Sequence, residues 1–142
     1  MIVLDTTVLV YAKGAGHPLR EPSRRLVAAV GNGVVAATTT VEVLQEVAHV
    51  RARRRPRTDA ADLARDYAQL FTPLLPVSAA ALLRGLDLFQ AHERLGAFDA
   101  VLAAAALDAG AEALVSADSG FAGVEGLRHL APGDPELEHL LG

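Results

Sequence analysis

The 142-residue chain has the length of one domain, enough to bury a core without disulfide or metal staples. Its 51% hydrophobic and 21% charged residues exclude a disordered chain. The lack of cysteine excludes disulfides, thiolate metal sites and cysteine nucleophiles, in keeping with a cytoplasmic protein. A net charge of −4 argues against a surface that is basic throughout.

The opening MIVLDTTVLVYA lacks the basic start of an export signal, and Asp5 interrupts its apolar run. Ile2–Leu4 reads as a short strand closed by Asp5, and Thr6–Ala12 as helix or turn. Pro22–Val30 repeats apolar residues at helical spacing until Gly31-Asn32-Gly33. Val34–Thr38 is β-rich, and Val41, Leu44, Val47 and Ala48 mark one face of a helix that Pro56 stops. Thr58 opens another helix with Leu63, Tyr67 and Leu70, and Leu74–Val77 is a candidate strand. Ser78 caps a helix whose Leu82, Leu83, Leu86 and Phe89 read as core. Phe98–Leu107 is an Ala-rich helix ended by Gly110, Ala113–Ser116 a strand, and Leu127–Leu130 a last short one. The acidic tail (Asp134, Glu136, Glu138) reads as solvated charge. The longest apolar run, Ala100–Leu107, is too short for a membrane span. Short strands alternating with helices predict a single domain over residues 1–142, a three-layer α/β/α sandwich around a mainly parallel sheet.

Four acids fall at telling places in that order. Asp5 ends the first strand, Glu42 enters the helix after the second, Asp99 opens the Ala-rich helix, and Asp118 follows the strand Ala113–Ser116. In open parallel sheets the carboxyl ends of strands and the adjoining helix starts line the ligand crevice. Carboxylates gathered there would repel one another, and a hard divalent cation such as Mg²⁺ or Mn²⁺ removes that repulsion. Singly, each acid has an ordinary role: Asp5 as a helix cap, Thr39 and Glu42 as a capping box, Asp99 on a helix dipole, Asp118 in a turn. Glu46, one turn after Glu42, could face the same pocket but reads more readily as a surface acid. The joint placement of the four is what points to a site.

Cations are unevenly spread. Twelve of the thirteen are Arg, and Arg51, Arg53, Arg54, Arg55 and Arg57 fall in one seven-residue stretch. Arg53, Arg54 and Arg55 could hold the phosphates of a partner, or they could suit the end of a helix dipole.

At these residues the chain resembles the PIN-domain family, and within it the VapC-type toxins of bacterial toxin–antitoxin pairs. MIVLDTTVLVYA is similar to the family's first strand and acid, TTTVEVLQEV to its second acidic motif, and LGAFDAVLAAAALDAGAEALVSAD to its most specific block. Ser116, Asp118 and Phe121 match a hydroxyl, an acid and an aromatic near the C-terminus. Thr7 stands where Asn or Ser is frequent, and Gly120 where many members carry a further acid. The resemblance implies a Mg²⁺- or Mn²⁺-dependent endoribonuclease with Asp5, Glu42, Asp99 and Asp118 holding the ion directly or through water. It gives Thr6 and Ser116 the task of orienting carboxylates or waters. An RNA substrate, a cognate antitoxin and a homodimer are implied as well.

Two other readings compete. A phosphoaspartyl phosphatase or receiver domain also begins with a strand ending in Asp. The phosphatase wants a second Asp two residues on, where Thr7 stands, and both want a late Lys, whereas the only Lys is Lys13. A non-catalytic PIN-fold module that binds RNA or protein is the other, and the presence of all four acids speaks against it.

Overall fold

The computed structural model describes all residues, Met1–Gly142. Four parallel strands form one sheet, β1 (Ile2–Leu4), β2 (Ala37–Thr38), β3 (Ala113–Val115) and β4 (His129–Leu130), in the order β2-β1-β3-β4. Every residue of β1 and β3 is fully buried. That explains why they read as unbroken apolar runs rather than alternating ones, since parallel strands are covered on both faces. Seven helices complete an α/β sandwich: α1 (Thr6–Lys13), α2 (Arg20–Gly31), α3 (Val41–Arg51), α4 (Arg57–Leu70), α5 (Ala79–Ala91), α6 (Ala97–Asp108) and α7 (Pro135–Leu140). None is long and apolar enough to cross a membrane.

The topology creates the crevice. From β1 the chain crosses to β2 on one side and later returns to β3 on the other. The strand order therefore switches between β1 and β3, whose carboxyl ends lead into Asp5 and Ser116. The Asp5 amide donates to the Val115 carbonyl at 3.0 Å, so the two strand ends are fastened side by side. Thr39 Oγ1 donates to the Leu4 carbonyl at 2.7 Å and ties the end of β2 to the same edge. Helix α6 approaches α5 so closely that a Cβ at Gly85 would stand 2.7 Å from Val101 Cα. The missing side chain of Gly85 is what lets Val101 come so near, while Ala100 and Leu102–Ala106 of α6 are buried.

Several expectations need correction. The β-rich run Val34–Thr38 contributes only Ala37–Thr38 to the sheet, because Val34 still belongs to the turn that follows α2 and is 55% exposed. Leu74–Val77 is not a strand; Leu75 makes a lone bridge to Thr40. The cap of α3 is Thr40, which accepts from the Val43 amide at 3.1 Å, so Thr39 and Glu42 form no capping box. Leu82, Leu83, Leu86 and Phe89 are not core: α5 buries its small residues Ala81 and Gly85 against the body, packs Leu88 at the core's edge and turns these four to solvent. The acidic tail does keep its charges at the surface, on the short helix α7, which Asp134 caps and the fully buried Leu137 pins.

Candidate active site

Asp5 occupies the N-cap position of α1 but makes no capping hydrogen bond. Its Oδ2 instead accepts from Ser116 Oγ at 2.7 Å and from Thr7 Oγ1 at 3.3 Å. Burial pushes its carboxyl above the usual range, the hydrogen bond from Ser116 opposes that, and the charge of Asp118 adds a smaller upward push. Ser116 also accepts from the Asp118 amide at 2.9 Å, and Thr7 Oγ1 accepts from the Ala117 amide at 3.0 Å. These bonds join the start of α1 to the loop after β3.

Asp118 caps a short 3₁₀ turn, Ser119–Gly123, accepting from the Gly120 amide at 2.8 Å. Gly120 itself is crowded: a Cβ there would lie 2.5 Å from the Arg94 carbonyl oxygen. This loop has no room for the further acid that the resemblance would place at 120.

Asp99, in the first turn of α6, is the most perturbed acid in the group. Burial first, and then the charges of Asp5, Asp118 and Glu46, raise its pKa to about 7. Those three charges define the constellation physically. Asp5, Asp99 and Asp118 come together from three separated segments, as their positions in the sequence predict. Glu42 is not among the charges acting on Asp99; it sits half-buried with Oε2 enclosed and no hydrogen-bond partner. Glu46 is, contrary to its reading as a surface acid. It is half-buried one turn further along α3, where Thr6 Oγ1 donates to its Oε2 at 3.2 Å. Thr6 thus reaches Glu46, Ser116 reaches Asp5, and Thr7 is a further hydroxyl on Asp5. The signal that pointed to Glu46 was its spacing from Glu42, since residues four apart share a helix face, but spacing alone did not set it above an ordinary surface acid.

None of the chain's ion pairs involves Asp5, Glu42, Glu46, Asp99 or Asp118. Acceptor-only oxygens that repel one another and lack a basic partner are the donor set a hard divalent cation takes. No three acidic or histidine side chains stand at chelating distance from one point. The set therefore fits an ion held partly through water, as Mg²⁺ usually is.

A PIN-domain family model matches residues 2–127. Over its full length the chain is 53% identical to Ribonuclease VapC7 of Mycobacterium tuberculosis (strain ATCC 25618 / H37Rv), covering 99% of that protein. Ribonuclease VapC13 of the same strain is 29% identical over 92% of this chain and 100% of its own. Ribonuclease VapC23 of Mycobacterium tuberculosis (strain CDC 1551 / Oshkosh) is 34% identical over 70% of this chain and 78% of its own. By both measures the chain belongs to the PIN-domain family, among the VapC-type ribonucleases.

Proposed function

We propose that this protein is a divalent-metal-dependent endoribonuclease, the toxin of a toxin–antitoxin pair, with Asp5, Asp99, Asp118 and Glu46 holding Mg²⁺ or Mn²⁺. The observation that carries the reading is the gathering of acids without a basic partner: Asp99, raised first by burial, also feels the charges of Asp5, Asp118 and Glu46, and none of the four is in an ion pair. Bound there, the ion supplies an activated water and offsets negative charge on the attacked phosphate. The protein's part is positioning. Ser116 and Thr7 fix the Asp5 carboxylate, Thr6 fixes Glu46, and the Gly120 amide fixes Asp118. Asp99, its pKa raised to about 7, would bind a cation as the carboxylate and so would give up its proton on binding. Glu42 stands one turn before Glu46 and remains the alternative fourth acid.

The test is cleavage of a labelled single-stranded RNA in EDTA and after addition of Mn²⁺. Cleavage should stop in chelator and return with Mn²⁺ or Mg²⁺. The new ends should carry no 2′,3′-cyclic phosphate, because water rather than the 2′-hydroxyl attacks. Full activity in EDTA would overturn metal dependence, and binding without cleavage in Mn²⁺ would favour a non-catalytic module.

The homodimer and the antitoxin belong to the same proposal. What supports a protein partner is α5, which leaves Leu82, Leu83, Leu86 and Phe89 at 40–64% exposure beside the similarly exposed Phe98. Light scattering at micromolar concentration should give twice the chain mass, and Leu83→Glu should halve it. A monomer in the parent would remove the dimer.

A further inference from the structure

Helices α1 and α3 run side by side away from the acids. At one end Thr6 meets Glu46; at the other the Lys13 carbonyl accepts from Arg51 Nη1 at 2.9 Å. Arg51 also donates from Nε to Asp59 Oδ1 at 2.8 Å, fastening the start of α4 to the same corner. Beyond that corner lies a cavity of about 840 Å³ with Lys13, Arg20, Arg53, Arg54 and Arg55 in its wall and no acidic lining residue. None of these five cations has a carboxylate at ion-pair distance. On a chain of net charge −4, acids for neutralising them were plentiful.

Two further observations point to a ligand. Arg20 Nε is buried with no hydrogen-bond partner, and an unsatisfied buried donor on a charged group is costly unless something binds it. Tyr11 and His17, both in the wall, stack with ring centroids 4.3 Å apart and interplanar angle 20°. Unpaired guanidinium groups beside an aromatic surface are the chemistry that holds single-stranded nucleic acid, phosphates on the cations and a base on the ring. A helix dipole alone would account for cations near the ends of α1 and α3, but for neither the enclosed Arg20 Nε nor the aromatic pair.

We infer that this basin is an RNA-binding subsite that holds the strand's phosphates roughly 8–10 Å along α1 and α3 from the carboxylates, at the 1.5 Å rise per helical residue. It touches backbone and one stacked base, so it lengthens the footprint on RNA without choosing sequence. The inference rests on the ribonuclease reading and adds to it where the strand runs once it leaves the acids.

Binding of a fluorescein-labelled twelve-nucleotide oligouridylate, measured in EDTA across a salt series, tests it. Arg20→Gln and the exposed pair Arg54→Gln/Arg55→Gln should each weaken binding and flatten the salt dependence. The slope should fall by about 0.7 for each phosphate that is no longer neutralised. Tyr11→Leu keeps apolar bulk and should lower affinity about fivefold or more with the slope unchanged, since stacking releases no counterions. Parallel slopes for parent and the Arg54→Gln/Arg55→Gln variant would overturn the inference. So would loss of affinity for a polyglutamate peptide with RNA binding untouched, which would assign the basin to an acidic protein. The binding series reads phosphate contacts and not cleavage, so it decides this point even if the parent cut no RNA in Mn²⁺.

Discussion

The two ends of the α1–α3 pair carry opposite charge and are built in opposite ways. At the acid end, Asp5 is 3% exposed and locked by hydroxyls from two segments, and like charges are held together against their repulsion. At the cation end, Arg53, Arg54 and Arg55 lie in an exposed turn after the helix, where Arg53 meets only the ring of His49 and none has a carboxylate partner. Backbone dipoles favour this polarity, since acids suit helix starts and cations helix ends. The difference teaches which charges are tied to the fold. The acids are fixed by strand ends and change stability when they change charge; the arginines can be replaced with little consequence for folding.

The largest break in that comparison comes from Asp99→Asn, which keeps size and removes charge. Cleavage in Mn²⁺ should fall about 10³-fold, in line with several kcal/mol of metal-assisted stabilisation. Circular dichroism should show the fold retained. Next is the choice between neighbours on α3. Glu46→Gln should cost about 10²-fold in activity and Glu42→Gln less than tenfold; the reverse order would return the fourth position to Glu42. Thr7→Val removes a donor to Asp5 and should weaken Mn²⁺ affinity about tenfold, the scale expected when a ligand loses its orienting partner.

Smallest is a pH effect on stability. In EDTA, Asp99 binds its proton more tightly folded, with pKa about 7, than unfolded, near 3.8. The folded state therefore carries more protons between those values, and stability from this group falls as pH rises from 4 to 7 and is level above. Asp5, also raised, acts in the same direction. Asp59 is lowered by its bond to Arg51, so its contribution is lost only below 3.8, outside this window. Thermal melts in EDTA should show a lower Tm at pH 7.5 than at pH 5, and Asp99→Asn should remove much of that fall.

Much of the site was legible because it lies at strand ends. Asp5 and Ser116–Asp118 follow runs of consecutive apolar residues, and the parallel pairing of β1 with β3 brings those ends together. Asp99 was legible from the Ala-rich helix that it opens. The choice between Glu42 and Glu46 was not. Both lie on one side of α3, and only the packing of α3 on α1 decides which meets Thr6. The leucines of α5 misled for a related reason. Helical spacing marks an apolar face without saying whether this chain covers it, and here α6 packs on Ala81 and Gly85 instead. Arg20 was not legible either, because only the fold brings it into one cavity wall with Arg53–Arg55, more than thirty residues away, and the Arg-rich run points to Arg53–Arg55 alone.

The central claim, that these acids hold one divalent cation, is tested most directly by titrating Mn²⁺ into the parent and Asp99→Asn at pH 7 and following free Mn²⁺ by electron paramagnetic resonance. The parent should bind Mn²⁺ with release of protons, and Asp99→Asn should bind at least about tenfold more weakly with less proton release. Equal affinity in the two proteins would contradict the account.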